Sequence, residues 1–264
     1  MLQGYIKLAQ VEIQTALTYR TATILWCLGA LLRIYLFNVF WSAIYGGQAT
    51  VDGVTLPAII TYSTLSIMQQ NFIIENDLNW RIQERIREGS IIIDLLRPYG
   101  YLRSLLAMGI GNLVFTLPVA AATLLVAAFF GHFVLPTSPV VAIFYLVSLL
   151  LGFLLSFLLT CLIGLTAFWT FELSGINWLM NMVIGFLAGV IVPLWFLPPV
   201  VQQISAFLPF QGIGYLPLSI YIGRITGIQI WLALLNQLCW IGILTFIVVL
   251  VWRVAQRKLI VQGG

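Results

Sequence analysis

Long apolar runs broken by short polar ones give this chain its plan. At the start, Leu2, Tyr5, Ile6, Ala9, Ile13, Ala16 and Leu17 recur at helical spacing, while Gln3, Lys7, Gln10 and Gln14 fall on the opposite face. That pattern predicts an amphipathic helix over 2–18, too polar to cross a bilayer and suited to lying in its interface. Apolar runs then predict spans at 22–45, 57–75, 104–130, 139–163, 176–196 and 228–252, the fourth able to run on to Trp169. Each has roughly the 20 residues that a bilayer core requires. The run at 197–226 is apolar too, but carries Pro198, Pro199, Pro209 and Pro217 with Gly212, Gly214 and Gly223. No straight helix tolerates that spacing of prolines. Two half-helices in a re-entrant hairpin, shielded by their neighbours, fit it best. The expected fold is an all-α integral membrane protein: six transmembrane helices, an N-terminal interfacial helix, and an outer re-entrant hairpin before the last span.

Composition supports that plan. Hydrophobic residues make up 61% of the 264 and charged residues 8%, against roughly 25% charged in a soluble domain. The polar face of the second span is therefore conspicuous: Thr61, Ser63, Thr64, Gln70 and Asn71 must look at protein or water and not at lipid. They are candidates for lining a pathway. The formal charge of +4 does not point to nucleic acid. Cys27, Cys161 and Cys239 lie in apolar runs without metal or disulfide spacing, and nothing at the N-terminus reads as a cleaved signal.

Charge is concentrated in 77–103. Arg81, Arg85, Arg87, Arg97 and Arg103 lie there with Asp77, Glu84, Glu88 and Asp94, five of the twelve bases and four of the eight acids. With Lys7, Arg20, Arg253, Arg257 and Lys258 they place ten bases on one side, so both termini are expected to be cytoplasmic. Arg81 with Glu84 and Arg85 with Glu88, at i,i+3, predict a solvated helix laced by weak ion pairs. Gly89 breaks it. Ile91, Ile92, Ile93, Asp94, Leu95 and Leu96 then predict a short helix along the membrane surface, ended by Pro98. It serves either as a lipid anchor or as the grip of a soluble partner.

Two further features stand out. Arg33, near the middle of the first span, costs at least ~2.5–3.5 kcal/mol on insertion scales. It is either a snorkelling or backbone-bonded arginine at a helix interface, or one facing a cavity or a second subunit, with Glu172 a doubtful partner. Gly185-x-x-x-Gly189 permits close helix approach, within or between subunits. His132 falls in an outer turn, and no phosphate-binding glycine loop or catalytic constellation is present. An ion-driven secondary transporter would need buried carboxylates, which the spans lack. A membrane enzyme would need acidic, His or Cys groups paired at one depth. A non-transporting scaffold makes no demand on the sequence.

The order of these elements resembles the transmembrane subunit of type-2 ABC (ATP-binding cassette) transporters, over nearly the whole chain. The local text is similar to one group of bacterial ABC-2-like permeases. It includes Gly89-Ser90-Ile91 leading to Asp94-Leu95-Leu96-Arg97-Pro98, then Phe168-Trp169. Gly189-Val190-Ile191-Val192-Pro193-Leu194 comes before Phe196-Leu197-Pro198, followed by Leu208-Pro209-Phe210 and Tyr215-Leu216-Pro217. The resemblance implies a bacterial inner-membrane half-transporter, paired with an identical or different permease on a cytoplasmic ATPase dimer that holds the ATP and Mg. No cofactor would bind this chain directly. Residues 91–96 would be the coupling helix, 2–18 the elbow helix and 197–226 the outer closure. Arg33, Gly185 and Gly189 would lie on spans that meet the other subunit. The implied activity is ATP-driven export, and the low charge of the spans suggests a hydrophobic or amphipathic substrate, drug-like or lipid-like.

Overall fold

The computed structural model describes residues 2–70, 78–96, 100–128, 133–170 and 173–262. Among the described residues, the regular structure is helical apart from one small hairpin. Helix α1 (Leu2–Thr18) passes with a break at Tyr19 into α2 (Arg20–Tyr45), which ends where Gly46 turns left-handed and donates its N–H to Ser42 O. Strands β1 (Thr50–Val51) and β2 (Val54–Thr55) pair antiparallel around Asp52-Gly53. Both turn residues have positive φ, 49° and 73°, as a two-residue hairpin loop needs. Thr55 then caps α3 (Leu56–Gln69), its hydroxyl accepting from Ala58 N–H, with Pro57 in the first turn.

Helices α4 (Leu78–Arg87) and α5 (Ile91–Leu96) follow, and then α6 (Tyr101–Ala128). Ser138 caps α7 (Pro139–Leu165), which α8 (Ala167–Thr170) prolongs. Helix α9 (Ser174–Leu187) leads to a 3₁₀ turn at Leu194–Phe196, α10 (Pro199–Ala206), a 3₁₀ turn at Pro209–Gly212, α11 (Tyr215–Tyr221) and α12 (Ile228–Gln262). Between Leu197 and Thr226 the prolines stand at starts: Pro199 and Pro209 open their helices, and Pro217 lies in the first turn of α11. There a missing N–H costs nothing.

Among the described residues, four helices are long and apolar enough to cross a membrane: Arg20–Tyr45, Tyr101–Ala128, Pro139–Thr170 and Ile228–Lys258. They lie where the first, third, fourth and sixth spans are expected. The other two expected spans correspond to α3 and α9, each of 14 residues. That is about 21 Å of helix against a hydrocarbon core of about 30 Å. The expected fifth span, 176–196, is corrected: its helix stops at Leu187. Gly189 is left-handed (φ 68°), Val190 N–H and Ile191 N–H both turn back to Gly185 O, and Ala188 O accepts from Tyr215 N–H at 2.8 Å. The sequence there is uniformly apolar, so its pattern hides the turn.

Helix α7 is the hub, packed by α4, α11 and α12. Its glycines admit other backbones. A Cβ on Gly152 would lie 3.0 Å from the carbonyls of Gly212 and Ile213, and one on Gly164 would lie 2.6 Å from Ile82. Buried Gln237 of α12 locks the hub, donating to Ser148 O and Gly212 O and accepting from Ser148 Oγ. Helix α1 lies on α6, where Gly111 faces the backbone of Ala9. The outer faces of α2 and α12 are exposed and apolar (Leu28, Leu32, Leu36; Leu235, Phe246, Leu250), as a lipid-facing surface requires.

Candidate functional site

The charged stretch folds as an arm of two helices. In α4, Leu78, Asn79, Ile82 and Gln83 form a buried i,i+4 face. Ile82 enters the notch left by Gly164 on α7, and Asn79 Nδ2 donates to Asn177 Oδ1 of α9. The expectation of a solvated helix laced by i,i+3 pairs is therefore corrected. Arg81 pairs with Glu12 of α1 at 2.5 Å, and Arg85 Nε lies 3.7 Å from Asp94 of α5. The bases are drawn to acids on neighbouring helices because packing of α4 has already brought those acids close.

Gly89, with φ 69°, turns the chain into α5. The six residues of that helix divide by face. Ile91 is fully buried and Leu95 packs on the same core cluster. Asp94 is largely covered beside Arg85, so it braces the turn and does not project. Ile92, Ile93 and Leu96 are 52%, 60% and 81% exposed. An apolar patch thus stands out from a charged arm whose other side is fixed to the core, and it can receive a complementary groove.

Above the arm, a cleft of about 450 Å³ opens between α1, α2, α4, α6, α7 and α9, with the Glu12–Arg81 ion pair in its wall. The polar residues of the expected second span do not reach it. Thr61 Oγ1 donates to Pro57 O and accepts from Val134 N–H, Ser63 Oγ accepts from Trp41 Nε1–H, and Thr64 is buried. Tyr62 and Ser66 donate to Gly189 O and Val190 O. This face fastens α3 to α2 and to the 188–190 turn. Gln70 is half-buried at the end of α3. Asn71 lies outside the described residues, as do Glu172 and His132.

Arg33 is half-buried on α2, one position before the fully packed Ile34, and does not line the cleft. Gly185 and Gly189 do not form a helix face. Gly189 lies beyond the end of α9, facing Tyr62, Leu194 and Tyr215, and Gly185 faces Ile191. Their close approaches are within this chain. The cleft's Asn112, Ser156, Thr160 and Asn181 were not singled out from sequence. Each is one polar residue in an apolar run, and that signal gains meaning only when four such residues converge.

A comparison with curated proteins finds no match. The profile of the family described as ABC-2 family transporter protein matches residues 28–263, from the middle of α2 to the C-terminus. It takes in the arm, the hub helix and the proline-rich segment in the order found here. The chain belongs to that family, and is a multi-pass membrane permease subunit of an ABC transporter, the kind of transporter that works with an ATPase partner.

Proposed function

We propose that this permease exports an uncharged amphipathic small molecule or lipid-like compound by ATP-driven alternating access, and that α5 is its coupling helix. The observation that carries the reading is the division of α5: Ile91 fixed in the core, and Ile92, Ile93 and Leu96 exposed on the opposite side. A helix so built passes force from a partner's groove into the α4–α7 contact. Two ATPase subunits, holding ATP and Mg, grip the arms of two permeases, and their closure tilts α4 against α7. For this to shift the spans, nucleotide must favour one arrangement over the other.

In this reading both termini and the arm are cytoplasmic, α1 is the elbow helix, and α3 and α9 are the second and fifth passages. At the outer end, Arg224 stacks over Trp195 at 4.6 Å, and Trp195 meets Tyr62 edge-on at 4.9 Å. That cluster supports a role for the proline-rich segment as outer closure.

The test is co-purification with the ATPase encoded beside the permease. The double substitution Ile93→Asp with Leu96→Asp should cut association at least about tenfold, since it buries charge in an apolar groove, and should leave the permease's own melting temperature unchanged. Undiminished association would overturn the coupling role of α5.

A further inference from the structure

Polar side chains lie between the helices of this chain at several places, and those that line the cleft differ from those that join helices. The hydroxyls of Thr61, Tyr62, Ser63 and Ser66 on α3, and Ser148 with Gln237 at the hub, are bonded within the protein. In the cleft, among the described residues, the side chains of buried Ser156, half-buried Asn112 and Thr160, and exposed Asn181 make no hydrogen bond. In a lipid-embedded protein such groups carry a cost unless they meet water or a ligand. They come from three helices, α6, α7 and α9, and face one volume of about 450 Å³. That volume is in the range of small-molecule sites, which combine apolar walls with a few convergent polar groups.

We infer that this cleft is a ligand site within a single subunit, for an uncharged amphipathic molecule with an aromatic or aliphatic body and a carbonyl or hydroxyl group. The walls give the chemistry. Trp26 and Phe115 offer apolar and aromatic surface. The two amides and two hydroxyls both donate and accept, which suits a neutral polar group. The ionised groups in the lining, Glu12 and Arg81, neutralise each other at 2.5 Å, so the site holds no net charge to attract an ion. The lining also includes Leu78, Asn79 and Arg81 of α4, the helix that carries α5. A ligand that wedges α1 and α2 away from α4 therefore acts on the arm directly. The inference deepens the transport reading, and rests on it for the ligand's fate but not for its binding.

The test uses the full chain in lipid nanodiscs without ATPase, and benzophenone as the probe, a neutral aromatic ketone that labels nearby C–H bonds on illumination. Labelling mapped by peptide mass spectrometry should saturate and fall on α6 and α7 near Met108, Phe115 and Thr160. Asn112→Leu and Asn181→Leu, close in size to the native side chains, should each weaken it roughly threefold to tenfold, the value of one hydrogen bond. Thr160→Val, which keeps shape, should also weaken it and decides the matter if a leucine variant unfolds. Leu232→Ala, on the exposed face of α12, should change nothing. Labelling that rises without saturation, that spreads over α12, or that saturates identically in the asparagine and threonine variants would overturn the site. Saturable labelling in a chain that fails to bind ATPase would overturn the coupling proposal alone. ATPase binding without saturable labelling would overturn this inference alone.

Discussion

At the scale of the residue, glycines and lone polar side chains decide how these helices meet. Gly111 has the backbone of Ala9 so near that an added Cβ would stand 2.5 Å from Ala9 O. Backbone cannot swing aside as a flexible side chain can. Gly111→Ala should therefore displace α1 from α6 and destabilise the protein by about 1–3 kcal/mol, the usual cost of overpacking. A lower melting temperature in detergent checks it, and an unchanged one would remove the contact from the account. Gln237→Leu should cost about as much, because it leaves Gly212 O without a donor in a dry interior. The sequence displays such residues without ranking them. Gly185 and Gly189 carry the recognised spacing yet form no helix face, whereas Gly111, Gly152 and Gly164 have no motif and do the packing. A glycine's role depends on what approaches it, and the approaching chain lies far away in sequence.

At the scale of the element, the arm was legible in outline and misread in detail. Its charge, the break at Gly89 and the short apolar run mark out α4 and α5, because local composition and a left-handed glycine act locally. Its electrostatics were not legible. Intrahelical pairs are worth about 0.2–0.5 kcal/mol, too little to hold Arg81 when packing brings Glu12 within 2.5 Å. A double-mutant cycle on Glu12→Gln and Arg81→Gln should give a coupling of up to about 1 kcal/mol, kept small because Arg81 is 43% exposed to screening. A cycle on Arg81 and Glu84 should give close to zero. The reverse ranking would restore the solvated-helix reading. Within α5, the alternation of buried and exposed positions makes Ile93 and Leu96 the informative sites for partner contact, and Ile91 a site whose loss would damage the fold first.

At the scale of the whole molecule, the topology we propose from the distribution of basic residues predicts the arm and the proline-rich segment on opposite sides of the membrane. Single cysteines at Glu84 and Gln203, both exposed, give the check in a chain without its native cysteines. A membrane-impermeant maleimide should label Gln203→Cys in intact cells, and Glu84→Cys only after permeabilisation. Labelling of both from outside would reverse or break the topology.

The sequence by itself determined that this is a helical membrane protein, where its four long spans run, where charge gathers and where prolines rule out a straight helix. These follow from composition and local periodicity, which act over a few residues. Only the tertiary structure decided that α9 ends at Leu187, that the polar face of α3 is a fastening, and that four scattered polar residues converge on one cleft. Each depends on which distant backbone or side chain arrives to satisfy a hydrogen bond. In a chain so uniformly apolar, hydrophobicity discriminates little between arrangements, and those few polar partnerships do.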